Sequence, residues 1–325
     1  MKKYIAVILV AVGVLMCLSA CGKNNSANNS QREKIQIVTT IFPEYDWVKE
    51  ILGDNFAQAE VTMLLDNRVD LHSYQPTVED IMKILESDLF IYVGGESDEW
   101  VEDILKEADN RNVKVINLSD VLGDMVKTEE AVEGMQEHEH EEHDHEEERD
   151  EHVWLSLKNA KVFCEAISGA LQEIDPDNKD TYIANASAYI DKLTALDSEY
   201  QNVVADAAKQ TVLFCDRFPF RYLVDDYGLE YYAAFSGCSA ETEAGFETIA
   251  FLAKKVDELD LKAVLTLEKS DGKIAKTVID NTKEKNQTVL QMDSMQSLTS
   301  SDAETGTNYL SVMERNLSVL KQALQ

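Results

Sequence analysis

The sequence predicts an α/β protein of two (β/α) lobes with mostly parallel sheets, joined by one long rigid helix. Strand and helix patterns alternate over residues 34–118 and again over residues 211–292, as in parallel sheets covered by helices. Between these regions, Asp180 to Lys209 keeps a helical apolar period without Gly or Pro. A helix of that length spans about 45 Å, which is the length of a whole domain.

The N-terminus predicts export and a lipid anchor. Met1-Lys-Lys3 is positively charged, and the apolar run from Tyr4 to Met16 is too short to span a bilayer comfortably. The string Leu18-Ser-Ala-Cys21 matches the bacterial lipobox, so we expect cleavage before Cys21 and lipidation of that cysteine. The Asn- and Ser-rich residues that follow predict a flexible tether on the outer face of the cell membrane.

The first lobe is predicted from alternating strand and helix signals. Its elements are a strand at 34–40, a helix at 43–52, a strand at 59–65, a helix at 77–85, a strand at 88–93, a helix at 98–108 and a strand at 113–118. Residues 127–151 then lack an apolar period and carry many like charges, which predicts a mobile insertion.

The second half repeats this rhythm after two helices at 157–174 and 180–209. It comprises strands at 211–215, 229–235, 263–267 and 288–292, and helices at 220–227, 248–259, 273–284 and 309–324. The predicted organisation is a signal peptide at 1–20, a lipidated tether at 21–33, an N-terminal lobe at 34–156 with the insertion 127–151, a helical region at 157–209 and a C-terminal lobe at 210–325.

The charge and cysteine content exclude several classes of protein. A net charge of −31 argues against nucleic acid as a partner and against a polybasic membrane contact. It suits a protein that handles cations. Besides Cys21, the mature chain holds Cys164, Cys215 and Cys238, which are too few for a disulfide framework. A bridge between Cys215 and Cys238 stays open.

Histidines are concentrated in one acidic segment. Five of the 6 histidines lie within residues 138–152, interleaved with Glu and Asp. Imidazole and carboxylate are the usual nitrogen and oxygen ligands of zinc and its neighbours, so the segment indicates a divalent metal. We expect an auxiliary, low-affinity metal loop formed by His138, His140, His143 and His145.

Further candidate ligands follow the predicted strands. His72 lies after the second strand, and His152 lies just past the insertion. Cys215, Glu268 and Asp293 each end a strand of the second lobe. Because ligands of open α/β sheets bind at the carboxyl ends of strands, the cleft between the lobes is the expected metal site.

These residues lie in motifs that resemble the zinc- and manganese-binding solute-binding lipoproteins of bacterial metal ABC importers. The motifs are Ile37-Val-Thr-Thr-Ile-Phe-Pro43, His72-Ser-Tyr-Gln-Pro-Thr77, His152-Val-Trp-Leu-Ser156 and Tyr227-Gly-Leu229, and the similarity covers about residues 34–325. The resemblance implies two lobes joined by one long helix, a metal buried between them and delivery to a membrane permease. Zinc-type members often carry a His- and acid-rich loop before the second histidine motif, as this chain does.

The resemblance also implies the ligands. His72 and His152 are expected from the first lobe, and Asp293 occupies the position of the final carboxylate. Zinc-type relatives have His, and manganese-type relatives Glu, where this chain has Cys215; a thiolate there is a good zinc donor. Asp216, Glu241, Glu243 and Glu268 are candidates for the same role, and water is a further alternative that would complete the shell. The acidic loop at 237–243 is placed to reach the cleft.

The expected function is capture of Zn²⁺ by a monomer that delivers the ion to an ABC permease. Two imidazoles and a thiolate favour zinc, whereas an oxygen-rich set would favour Mn²⁺. A surface metal buffer or adhesin with the same site is an alternative. An extracytoplasmic zinc hydrolase is a third candidate, but no enzyme is expected because the His-Glu-x-x-His motif fails, with Glu142 where the second His belongs.

Overall fold

The computed structural model describes residues 34–107, 113–136, 149–239 and 243–325. Its strands form two four-stranded sheets, and the strands of each sheet run parallel. The first sheet, in the order β2-β1-β3-β4, comprises β1 (Ile35–Thr39), β2 (Ala59–Met63), β3 (Leu89–Tyr92) and β4 (Lys114–Asn117). The second, in the order β6-β5-β7-β8, comprises β5 (Thr211–Phe218), β6 (Glu230–Ser236), β7 (Ala263–Leu267) and β8 (Thr288–Met292). The prediction of two α/β lobes with parallel sheets is confirmed.

Helices connect the strands and cover the sheets. In the described residues they are α1 (Phe42–Leu52), α2 (Val78–Glu86), α3 (Trp100–Glu107), α4 (Leu118–Leu122), α5 (Leu157–Ile174), α6 (Lys179–Ala205), α7 (Arg221–Tyr227), α8 (Phe246–Leu259), α9 (Lys273–Asp280), α10 (Ser300–Glu304) and α11 (Tyr309–Ala323). None of these described helices is long and apolar enough to cross a membrane.

The long helix α6 contacts elements of both halves of the chain. Its Asn185 side chain donates a hydrogen bond to the carbonyl of Ile51 at the end of α1 (3.0 Å). Further along, the Tyr200 hydroxyl donates to the carbonyl of Met313 in α11 (2.7 Å). Its 27 residues span about 40 Å. The helix ends at Ala205 rather than at Lys209 because the chain turns into β5, and the Gln210 side chain caps the carbonyl of Val204.

The described ends of the predicted mobile insertion are packed against the second lobe. Met135 is buried, and Thr128 pairs with Arg149 in a short antiparallel bridge. The backbone N–H of Lys127 donates to the Tyr222 hydroxyl (3.0 Å). The expectation of mobility over the whole of 127–151 is therefore wrong for residues 127–136 and 149–151. Isolated apolar anchors such as Met135 carry no helical or strand period, so the sequence pattern does not reveal them.

Some predictions fall outside the described residues. They concern the signal peptide and tether with Cys21, the candidate ligand Glu241, and the auxiliary loop histidines His138, His140, His143 and His145.

Candidate metal centre

Two histidines from different loops face each other in the cleft. His72 lies in a single 3-10 turn, Leu71–Ser73, and its backbone N–H donates to the Asp70 carboxylate at the start of that turn. His152 precedes a second 3-10 turn, Val153–Leu155, and is fully buried. Their Nε2 atoms lie 3.3 Å apart. Two nitrogen ligands of one tetrahedral zinc, each about 2.0–2.1 Å from the ion, lie about 3.4 Å from one another. The described pair therefore has the spacing of two zinc ligands.

Each imidazole is oriented by its own carboxylate. The Nδ1 atom of His152 lies 3.0 Å from the Asp150 carboxylate, and Nδ1 of His72 lies 3.2 Å from the Glu151 carboxylate. The Ser97 hydroxyl also lies 2.9 Å from Nδ1 of His72 and donates its own proton to Glu151, so its oxygen is left to accept. A carboxylate only accepts hydrogen bonds as well, so both Nδ1 atoms carry the proton and both Nε2 atoms present a lone pair. Ligating histidines in proteins are usually held in this way by a carboxylate on the other ring nitrogen.

The Glu151 carboxylate is fixed as an anion. It accepts hydrogen bonds from the Ser97 backbone N–H (2.7 Å) and the Ser97 hydroxyl (2.5 Å). Burial acts to raise the pKa of Glu151, but the hydrogen bonds from His72 and Ser97 outweigh it and hold the pKa below the usual value. Gly95 leaves room for this carboxylate, since a Cβ at that position would lie 2.5 Å from a Glu151 oxygen.

The second lobe contributes Cys238 to this group. It lies two residues after the end of β6, and its Sγ and the histidine nitrogens all lie within 4.8 Å of one another. Among the described residues, His72, His152 and Cys238 are the three that gather in this way. Burial, together with the negative charges of Glu129 and Glu151, raises the pKa of the Cys238 thiol. The thiol is therefore protonated without a metal, and a metal that binds there must displace its proton.

The structure does not bring Cys215 into the group. Its side chain is 1% exposed and packs with Leu213, Ala234 and Phe235 in a second hydrophobic cluster beneath α8 and α9. Burial raises its pKa, followed in size by the charge of Asp216. Its placement is that of a small core residue.

Asp293 also lies apart from the histidines. One oxygen of its carboxylate accepts from the Met295 N–H (2.8 Å), and the other lies 3.8 Å from the Arg315 guanidinium of α11. Glu243, another candidate ligand, is exposed at the start of the segment that leads into α8.

Two carboxylates of the second lobe, Glu268 and Asp216, line a cavity of about 660 Å³ that also touches His72 and Cys238. The Glu268 carboxylate accepts from the Ser294 N–H (2.8 Å) and hydroxyl (2.6 Å). Burial, and then the charge of Asp293, raises the pKa of Glu268 to about 7. The Asp216 carboxylate accepts from the N–H groups of Arg217 and Leu267. Both carboxylates are near the centre but are engaged by the second lobe.

Three contributors to the centre are not assigned by the sequence pattern. In the sequence-based prediction Cys238 is part of the acidic loop that faces the cleft and a possible bridge partner of Cys215, but both cysteines are free in the structure. Asp150 and Glu151 count in that prediction only as charges of the insertion. The adjacency Asp150-Glu151-His152 is the available signal, because an acidic residue beside a ligating histidine often orients it.

Comparison with known proteins identifies the family to which this fold belongs. The model of the ZnuA family, described as zinc-uptake complex component A, periplasmic, matches residues 37–323. This chain belongs to the ZnuA family. It is 34% identical over 322 residues to the zinc-binding lipoprotein AdcA of Streptococcus pneumoniae, covering 99% of this chain and 61% of that protein. It therefore spans about three fifths of that relative's length.

Two further relatives of this ZnuA-family chain match over nearly their whole length. The high-affinity zinc uptake system protein ZnuA of Bacillus subtilis is 30% identical over 330 residues, covering 99% of this chain and 98% of that protein. The Zn(II)-bound ZnuA-like domain of Streptococcus pneumoniae AdcA has a TM-score of 0.71 and 32% identity, covering 90% of this chain and 99% of that domain. The family's two-lobed fold thus extends through the described chain.

Proposed function

We propose that this protein captures Zn²⁺ outside the cytoplasm and delivers it to the permease of an ABC-type importer. The observation that carries the proposal is the pair of Nε2 atoms 3.3 Å apart on His72 and His152. Both lone pairs point at one place because Asp150 and Glu151 hold the opposite ring nitrogens. Without a cation, two facing lone pairs repel; a zinc ion between them satisfies both.

Zinc is favoured over manganese by the donors within reach. The group offers two imidazoles and one thiol, and soft sulfur ligands select zinc over Mn²⁺. The Zn(II)-bound state of the AdcA domain supports the same choice. An oxygen-rich set built from Glu268, Asp216 and Asp293 would favour Mn²⁺, but all three carboxylates are occupied by other groups.

The centre is suited to binding rather than to catalysis. His152 is fully buried, and the side chain of His72 is 13% exposed. The carboxylates nearest the ring nitrogens are hydrogen-bonded to those rings, so neither is available as a general base towards a substrate. The family description, a component of a zinc-uptake complex, supports the same conclusion.

The proposed place of action is the outer face of the cell membrane. The lipobox at Leu18–Cys21 supports this location, as does the family, which is described as a periplasmic component of a zinc-uptake complex. Lipidation of Cys21 and a tether at 21–33 would hold a monomer beside its permease. Replacing Cys21 with Ser should release the protein from the membrane fraction into the medium, which immunoblotting of the fractions measures.

The test of capture is zinc titration calorimetry on the full chain in detergent. His72→Ala and His152→Ala should each weaken the tight site at least 100-fold, because each removes one of the few ligands that supply roughly 10–16 kcal/mol at a structural zinc site. His138→Ala is the matched control, since it removes a histidine of the auxiliary loop and should leave the tight site unchanged. Unaltered tight binding in either of the first two variants would remove that residue from the metal site.

Delivery to a permease is tested separately. A strain that lacks the gene should grow poorly in medium depleted of zinc by a chelator, and added zinc should restore growth. A surface buffer or adhesin that never docks a permease would leave growth in depleted medium unaffected. Complementation with the His152→Ala variant should fail if capture and delivery use the same site.

A further inference from the structure

We infer that the thiolate of Cys238 is the ligand through which the second lobe closes on the metal, and that Arg217 positions it. The inference rests on the proposed function and names the second-lobe part of its site. It replaces Cys215, whose side chain lies in the apolar cluster with Leu213 and Phe235.

The distances suit a sulfur ligand. The Cys238 Sγ and the ring nitrogens of His72 and His152 lie within 4.8 Å of one another. In a tetrahedral site with a zinc–sulfur bond of about 2.3 Å, sulfur and nitrogen ligands are separated by about 3.5 Å. A shift of the Cys238 loop on the order of 1 Å therefore completes the first three bonds.

The loop that carries Cys238 approaches the ring of His152 closely. A Cβ at Gly237 would lie 2.9 Å from Cε1 of His152 and 2.9 Å from the carbonyl of Phe218. A residue with a side chain would force the loop away from the ring. The absence of a side chain at Gly237 thus lets the next residue, Cys238, approach the metal-binding face of the first lobe.

A salt bridge between the lobes holds the Cys238 loop in position. The guanidinium of Arg217, at the end of β5, donates to the Asp70 carboxylate (2.8 Å) and to the carbonyl of Ser239 (3.4 Å). Asp70 in turn accepts from the backbone N–H of His72 (3.1 Å). One side chain therefore connects the turn that carries His72 with the residue that follows Cys238.

A second contact fixes the loop from its other side. The backbone N–H of Cys238 donates to the Glu129 carboxylate (3.0 Å), which belongs to the packed end of the insertion. Glu129, Glu151 and Asp150 place negative charge around the sulfur. A divalent cation is favoured in such surroundings because it offsets charges that otherwise repel one another.

The experiment uses cobalt(II) in the full chain and in Cys238→Ser, Cys238→His and Cys215→Ser variants. A thiolate bound to cobalt gives a sulfur-to-metal charge-transfer band, and we expect it in the wild type and in Cys215→Ser. Cys238→Ser should lose the band and bind zinc at least tenfold more weakly. Cys238→His should lose the band but keep tight zinc, because imidazole is also a zinc ligand; retained binding would also show that the variant folds.

The outcomes separate this inference from the proposed function. Two outcomes would overturn the assignment of Cys238 while zinc capture stands. The first is a wild-type protein that binds zinc tightly but shows no cobalt band. The second is a band that disappears in Cys215→Ser and persists in Cys238→Ser. A wild-type protein with no tight zinc site overturns the proposed function and the inference with it. Mass spectrometry after alkylation gives a second readout, since zinc should protect Cys238 and leave labelling of Cys215 unchanged.

The positioning role of Arg217 has its own readout. Arg217→Gln should weaken the cobalt band and speed zinc release several-fold. Arg68→Gln is the control, because Arg68 lines the same cavity and its salt bridge is a long one of 3.9 Å to Asp302. Arg217→Lys, which keeps a positively charged donor towards Asp70 and the Ser239 carbonyl, should retain part of the band. Identical band and release rate in Arg217→Gln and the wild type would exclude the positioning role.

Discussion

The Asp150 carboxylate holds His152 at two points. The same oxygen accepts a hydrogen bond from the backbone N–H of His152 at 2.8 Å and lies 3.0 Å from its Nδ1. Asp150 itself is anchored through its carbonyl, which accepts from the Tyr222 hydroxyl (2.9 Å). The imidazole is therefore fixed in orientation before any metal arrives.

This relationship predicts the effect of Asp150→Asn. The amide oxygen still accepts from the backbone N–H and from Nδ1–H, but without a negative charge it no longer increases the basicity of the ring. Zinc affinity should fall about 10- to 100-fold, as is typical for partners of ligating histidines. Titration calorimetry measures this. The control is Asp197→Asn, which alters a buried carboxylate on α6 that pairs with Lys161 and should leave zinc affinity unchanged.

Gly237 should tolerate no side chain. In Gly237→Ala, the new Cβ would meet the ring of His152 and the carbonyl of Phe218 at 2.9 Å, so ring or loop must move. We expect a loss of about 1–3 kcal/mol in the free energy of unfolding, as for overpacked sites in general, and weaker zinc binding. Gly169→Ala in α5 is the control, since a Cβ there meets nothing within 4 Å and alanine favours the helix. Equal free energies of unfolding and equal zinc affinities in Gly237→Ala and Gly169→Ala would show that the close approach at Gly237 has no consequence.

Much of the fold is predictable because its signals are local. Strands such as Ile35–Thr39 and Ala263–Leu267 are short apolar runs, and the long helix keeps its period over many residues. His72 and His152 are placed by motifs that lie within a few residues of each turn. These features depend on neighbours in the sequence, so the sequence alone suffices to locate them.

The second-lobe candidate is harder to predict because it depends on which way the side chains of β5 face and on the loop after β6. Side chains alternate along β5, so Leu213 and Cys215 lie on the face covered by α8 and α9, while Phe214 lies on the opposite face. The register of β5 against β6 also shifts between Phe214 and Arg217. A sequence pattern locates the end of the strand but not this irregularity, so it does not separate Cys215 from Cys238.

The auxiliary loop should add weak zinc sites without affecting the tight one. Replacing residues 137–148 with an equal length of Gly and Ser keeps Met135, Arg149 and Asp150, which are packed or bonded in the described structure. Metal analysis and calorimetry should then find one tight zinc and none of the weaker binding. A variant that changes only His138, His140, His143 and His145 to Asn tests whether histidine, rather than acidic charge, is responsible. Loss of the tight site in either variant would place part of the loop in the primary site.

Asp46 predicts a dependence of stability on pH that is independent of the metal. Its carboxylate is buried in α1; one oxygen accepts from the Tyr309 N–H (2.9 Å), and the second has no hydrogen-bond partner among the described residues. Burial raises its pKa from 3.8 to about 7. Because the folded state holds this proton more tightly than the unfolded state, the stability from Asp46 is full below pH 3.8 and is lost as the pH rises through 7.

Asp46→Asn should remove that dependence. The amide keeps an acceptor for the Tyr309 N–H but cannot ionise. The free energy of unfolding of the variant, relative to that of the wild type, should therefore rise by about 2–3 kcal/mol between pH 5 and pH 8. Urea unfolding of both proteins at the two pH values measures the change. The difference between the two proteins isolates Asp46, since every other titrating group is common to both. Asp124→Asn, at an exposed position, should show no such change. A difference that stays constant with pH would mean that Asp46 is ionised in the folded protein and that a buried donor stabilises its charge.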